Sequence, residues 1–180
     1  RVDPDRLHVV PVGVDPDLFR PVDGARRVPG RIVTTASADV AMKGLRYLLE
    51  SFSELRTICV VELVSAGRPR ENSSSTDTFE RLDLMDCVTY VHGVPDERIV
   101  ELYNEAELAV VPSLYEGFSL PAIEAMACGV PPVSTPVGAM PTFIVPDKNG
   151  ILFPTQNVDA LAELLRELIA DAPKRESMGA

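Results

Sequence analysis

The chain has 180 residues, 46% hydrophobic and 24% charged, with 17 Lys and Arg against 27 Asp and Glu for a formal net charge of −10. That length allows one domain with a full core, and the composition is neither disordered nor fibrous. The acidic excess repels polyphosphate backbones and anionic lipid over most of the surface, which argues against nucleic-acid and membrane partners.

In chain order, Arg1–Pro21 is rich in Pro and Asp, holds one predicted strand at Val9–Val12, and reads as a connector entering a domain. A strand at Arg31–Thr35 leads to a helix at Lys43–Leu55, with Leu45, Leu48, Leu49 and Phe52 at helical spacing. Next come a strand at Ile58–Val64, a polar loop at Asn72–Thr76, a helix at Thr76–Leu84 and a strand at Val88–His92. A helix at Pro95–Asn104, a strand at Ala109–Pro112, a helix at Leu120–Cys128 and a strand at Pro132–Ser134 follow. The last helix is Val158–Ala170, with Asn157 as its N-cap, and Asp171–Ala180 is a closing polar stretch. Both ends read as cuts in a longer protein.

Short apolar strands alternating with helices predict an α/β, doubly wound (Rossmann-like), mainly parallel sheet with helices on both faces, formed by a single domain over 1–180. Such sheets bind ligands at the carboxyl ends of their strands, near a topological switch point. The loops after Thr35, Val64, His92, Pro112 and Ser134 are therefore the candidate site. Cys59, Cys87 and Cys128 are odd in number and far apart in apolar surroundings, suggesting neither a disulfide framework nor a zinc site. Cys128 is expected to be a buried small hydrophobe, and His8 and His92, without ligand-spaced partners, are expected to be structural. No apolar run approaches a membrane span and no signal peptide opens the chain, so a reduced cytoplasmic compartment is expected.

The most informative stretch is Val110–Thr135, VVPSLYEGFSLPAIEAMACGVPPVST. A strand ends at Pro112, a loop with Gly117 follows, and a helix starts near Leu120 with Pro121 in its first turn, where proline is tolerated. The free amides around Phe118, Ser119 and Leu120 form an anion site. Glu124 lies in a helix apolar nearly all round, so it should be buried and needs a partner. An internal ion pair or an exposed seam of the helix is the structural explanation, and a ribose diol the functional one. Glu116 is either a solvated loop residue or a side chain in the cleft.

EGFSLPAIEAMACGVPPVST resembles the E-x(7)-E signature of family-4-type retaining glycosyltransferases with the two-domain GT-B architecture, matching at Glu116, Gly117, Phe118, Pro121, Glu124, Ala125, Met126, Gly129 and Pro131. VVPVGVDPDLFRP (Val9–Pro21) resembles the segment entering their second domain, Lys43-Gly44 their phosphate-binding lysine, and His92-Gly93-Val94-Pro95 the loop whose backbone meets the nucleobase. The resemblance implies that Glu124 holds the ribose, Glu116 the donor sugar, and Lys43 the leaving diphosphate. Gly117, Phe118, Ser119 and Leu120 would line the sugar and diphosphate, and Val94 the base. Glu116 and Lys43 are the catalytic candidates.

It further implies a UDP- or GDP-sugar donor, retention, no obligatory cofactor or metal, and an N-terminal acceptor-binding domain outside this chain, which would carry any membrane contact. No Asp-x-Asp motif stands beside the cleft. The fragment alone is expected to bind nucleotide weakly and to turn over nothing. Two departures stand out: Ala38 occupies the place of a common phosphate arginine, for which Arg68 is a candidate substitute, and Thr142 follows Pro141 where a glutamate is common. A non-catalytic nucleotide-binding module and a GT-B-type nucleotide-sugar epimerase remain alternatives. A dinucleotide oxidoreductase lacks the G-x-G-x-x-G it would need after the Arg31 strand.

Overall fold

The computed structural model describes residues 3–6, 8, 10, 12–35, 40–57, 62–66, 74–84 and 86–180. Its sheet has six parallel strands: β1 Arg31–Thr34, β2 Glu62–Ala66, β3 Val88–Val91, β4 Leu108–Val111, β5 Pro132–Ser134 and β6 Ile151–Leu152. Their spatial order is β3-β2-β1-β4-β5-β6, the doubly wound Rossmann-like order, with both β2 and β4 pairing directly with β1. The switch point therefore lies between β1 and β4.

Period-two alternation explains how strands this apolar cover two faces. Ile32, Leu63, Leu108 and Val110 enter one core with Leu48, Leu49 and Phe52 of α1 (Leu45–Leu55) and Leu161, Leu165 and Leu168 of α6 (Val158–Ala170). Val33, Val64 and Ala109 enter the other with Val100, Leu102 and Tyr103 of α3 (Asp96–Glu105) and Ala125 of α4 (Leu120–Ala127). Asn157 caps α6 as expected, accepting the Ala160 amide at 3.0 Å.

Several expectations change. Val9 and Pro11 lie outside the described residues; Val10 and Val12 belong to no strand and are 83% and 52% exposed, having no partner in the sheet order. Residues 58–61 and 72–73 also lie outside the described residues. The second strand is described from Glu62, and α2 (Ser74–Arg81) begins within the expected polar loop, drawn in by buried Phe79 and favoured by Asp77 in its first turn. Helix α4 is not buried all round: only Ala122 and Ala125 are fully enclosed, and Leu120 is 41% exposed. Small residues seat it against the sheet while its start reaches the rim. His8 and His92 are exposed and fill no core.

Strand β6 and the short α5 (Met140–Phe143) were not foreseen; two and four residues are too few to show a period. Nor is 171–180 a simple polar stretch: it forms α7 (Ala172–Gly179), with Asp171 accepting the Lys174 amide at 3.0 Å. No helix among the described residues is long and apolar enough to cross a membrane.

Candidate functional site

The strand order brings together loops distant in sequence. Beyond residues 36–39, a 3-10 turn at Ala41–Lys43 leads to Gly44 at φ 69, which caps α1. A Cβ at Gly44 would stand 1.9 Å from the Pro112 carbonyl oxygen, so only glycine lets the backbone lie against the end of β4. Leu114 N–H donates to the Met42 carbonyl at 2.7 Å, fastening the two loops. Lys43 thus precedes α1 instead of opening it, and its ammonium reaches across the switch point.

There it meets Glu116. Lys43 Nζ is 2.6 Å from Glu116 Oε1, and the Ser113 hydroxyl donates to the same oxygen at 2.8 Å. The Glu116 side chain is only 10% exposed, against 34% for Lys43. It is an enclosed, paired carboxylate rather than a solvated loop glutamate. A third loop supports it from below: Ala139 N–H donates to the Gly117 carbonyl at 3.1 Å, and Gly138 sits at φ 58 with its Cβ position 2.2 Å from the Glu116 carbonyl oxygen.

Gly117 is exposed, Phe118 is half-buried with its ring 5.7 Å from that of Phe143, and Ser119 is the N-cap residue of α4. Ser119 is left-handed (φ 77) and its side chain caps nothing; the hydroxyl is buried without a hydrogen-bond partner among the described residues. A buried polar group is ordinarily bonded, so a polar ligand at the first turn of α4 would find a donor waiting in this hydroxyl.

Glu124 is half-buried, one turn into α4, and among the described residues its partner is no cation. The Tyr103 hydroxyl lies 3.3 Å from Glu124 Oε2, and also contacts the Pro121 carbonyl at 3.2 Å and Thr35 Oγ1 at 3.4 Å. Burial raises the Glu124 pKa above its ordinary value; the Tyr103 hydrogen bond opposes that rise and the charge of Asp96 adds to it. The phenol, pushed up first by burial and then by Glu124, stays a donor. Through Asp96, the His92–Asp96 loop lies within electrostatic reach of Glu124; Gly93 there takes φ 63, and Val94 is half-buried. Val94 makes no hydrogen bond to Lys43, Glu116 or Glu124.

Tyr103 and Ser113 escaped sequence reasoning. Ser113, three residues before Glu116, carried a readable local signal; Tyr103 carried none, because the fold alone sets α3 beside α4. Ala38 and Arg68 lie outside the described residues. Thr142 is exposed and bonds locally, its hydroxyl donating to the Ala139 carbonyl at 2.6 Å. Cys128 is fully buried, and burial first, then the Glu124 charge, pushes its thiol up to about 11, so it is no nucleophile at neutral pH. Cys87 and Cys128 are both free thiols, and Cys59 lies outside the described residues.

A separate cavity of about 430 Å³ opens on the opposite rim, at the amino ends of β4 and β5, lined by Arg27, Glu107, Gly129, Arg175 and Gly179 among others. Both of its arginines are already engaged. Arg175 bonds Glu107 and the Leu168 and Ile169 carbonyls, and Arg27 bonds the Ala106 and Gly129 carbonyls. Gly129 and Pro131 of the signature stretch belong to this rim, where Gly129 packs on Gly179 and Pro131 on α7. They shape the fold and do not touch the cleft.

Comparison with known proteins places the fold and the sequence in one family. The family model described as "Glycosyl transferases group 1" matches residues 23–180. An MMP alpha-(1->4)-mannosyltransferase of Mycolicibacterium hassiacum is 42% identical over 174 residues, covering 96% of this chain and 42% of its own. Among solved structures, a sucrose-phosphate synthase from Thermosynechococcus elongatus superposes with a TM-score of 0.84 at 29% identity, over 96% of this chain and 45% of that one. The C-terminal domain of a glycosyl transferase group 1 family protein (LpcC) from Francisella tularensis gives a TM-score of 0.81 at 25% identity, over 93% of each chain. The chain spans less than half the length of the curated relatives it matches.

Proposed function

Because this chain belongs to the group 1 glycosyl transferases, we propose that it is the donor-binding domain of an enzyme that moves a hexose from a UDP- or GDP-sugar to an acceptor hydroxyl with retention. The observation that carries this reading is the meeting of Lys43 and Glu116 at 2.6 Å above the β1–β4 switch point, beside the start of α4. An ammonium and a set of free helix amides suit a diphosphate, and a carboxylate next to them suits the hydroxyls of the sugar it carries.

In this reading Lys43 and the amides from Gly117 to Leu120 take up charge on the diphosphate as the glycosidic bond breaks, which is electrostatic catalysis. The Ser119 hydroxyl supplies one further donor. Glu124, oriented by Tyr103, accepts from the two ribose hydroxyls, and the backbone around Val94 flanks the base. Acceptor recognition falls to the part of the longer relatives that this chain does not match.

Calorimetric titration with UDP, GDP and ADP tests the assignment. Lys43→Ala and Glu124→Ala are each expected to weaken the preferred nucleotide by roughly 1–3 kcal/mol, the scale of a charge-assisted contact. Glu124 accepts from hydroxyls as a carboxylate, and its raised pKa means that the charge is lost earlier on acidification than in an ordinary glutamate. Affinity should therefore start to fall at a higher pH than the usual carboxylate range, and Glu124→Ala should remove that component. Unchanged affinity in both variants would reject the site.

A further inference from the structure

The Lys43–Glu116 contact is more than a surface ion pair. Glu116 has little water left, with its side chain 10% exposed, and one of its oxygens receives both the Lys43 ammonium and the Ser113 hydroxyl. The loops carrying the pair are fastened by the Leu114–Met42 hydrogen bond and by Gly44 lying against Pro112. Neither side chain can leave the other without loss. A phosphate that takes Lys43 leaves Glu116 charged, mostly desolvated and beside a new anion, with Ser113 as its remaining partner.

A bare nucleoside diphosphate and a nucleotide sugar differ in what they offer in return. The bare diphosphate brings a further ionisable oxygen on its terminal phosphate and no hydroxyl from a donor sugar. The nucleotide sugar has that oxygen esterified, so it carries less charge, and its sugar hydroxyls can donate to the carboxylate that Lys43 has released. We infer that Glu116 is a specificity-determining residue: by competing with the diphosphate for Lys43, it makes the site prefer the intact donor over the spent nucleoside diphosphate. The inference rests on reading Lys43 as the diphosphate-binding cation, and goes beyond it in giving Glu116 an effect on the ligand without a sugar. Its consequence is easier release of the product once the sugar has gone.

The experiment is calorimetric titration of UDP against UDP-glucose, and GDP against GDP-mannose, into the wild-type chain, Glu116→Gln, Lys43→Ala and the double variant, with circular dichroism verifying the fold. Glu116→Gln keeps the shape and removes the charge. It is expected to bind the bare diphosphate about five- to tenfold more tightly, a gain tempered by the partial exposure of Lys43. The nucleotide sugar should gain less or weaken, so the donor-over-product ratio falls. In the Lys43→Ala background the same replacement should give a clearly smaller gain, because only the repulsion between Glu116 and the diphosphate is then relieved. Glu116→Asp, too short to hold Lys43 at the same distance, should move in the same direction by a smaller amount. A bare diphosphate bound no more tightly by Glu116→Gln, or an equal gain without Lys43, overturns the competition. If Lys43→Ala alone leaves every affinity at the wild-type value, the donor-site reading itself fails.

Discussion

Gly44→Ala is expected to destabilise the protein by about 3–5 kcal/mol, combining the cost of a left-handed non-glycine residue with that of forced overpacking. Gly44 takes φ 69, and its Cβ position falls 1.9 Å from the Pro112 carbonyl oxygen, a backbone atom that no rotamer change can move aside. Relief requires the loop before α1 to lift off the end of β4. That motion also breaks the Leu114–Met42 hydrogen bond and withdraws Lys43 from Glu116, so nucleotide affinity should fall with stability. Gly24→Ala is the internal control. It has a similar φ of 78 with nothing within 4 Å of the new atom, and should cost only about 1–2 kcal/mol. Urea midpoints at constant slope measure both. Equal losses at the two positions would mean that the contact with Pro112 carries no energy.

Arg175→Met is expected to cost a further large amount, about 3–5 kcal/mol, the usual penalty for removing one partner of a buried ion pair. Arg175 and Glu107 have side chains only 10% and 12% exposed, and Arg175 also satisfies the Leu168 and Ile169 carbonyls at the end of α6. Without it Glu107 keeps the Gly30 amide at 2.8 Å but has no cation in contact among the described residues. Helix α7, otherwise polar, should loosen from the sheet. Replacing both members, Arg175→Met with Glu107→Leu, should recover much of the loss, because no uncompensated charge is then left inside. A single variant as stable as the wild type would show that α7 is held by Met178 and the glycine contact with Gly129 instead.

These two positions also explain what the sequence could reveal. The parallel sheet was legible because strands such as β4, Leu-Ala-Val-Val, are apolar on both faces, and only a sheet covered on both sides accepts that. Glu124 stood out because a carboxylate in a helix otherwise apolar needs a partner, and Glu116 because of the E-x(7)-E spacing that links it to Glu124. Helix α7 was not: its low apolar content hides the fact that one arginine anchors it. Strand β6 escaped because two residues carry no period. Tyr103 escaped because its link to Glu124 spans 21 residues and two elements, and the place of Lys43 beside Glu116 depends on a strand order that no local pattern encodes.

The most direct measurement is amide chemical-shift mapping of the ¹⁵N-labelled chain during titration with UDP and GDP. The expected result is perturbation along one rim, at Lys43, Gly44, Val94 and Gly117 to Leu120, with the amides around Arg27, Gly129 and Gly179 unmoved. Shifts centred instead on that opposite rim, where a cavity of about 430 Å³ offers the nucleotide another home, would contradict the placement of the donor at the β1–β4 switch point.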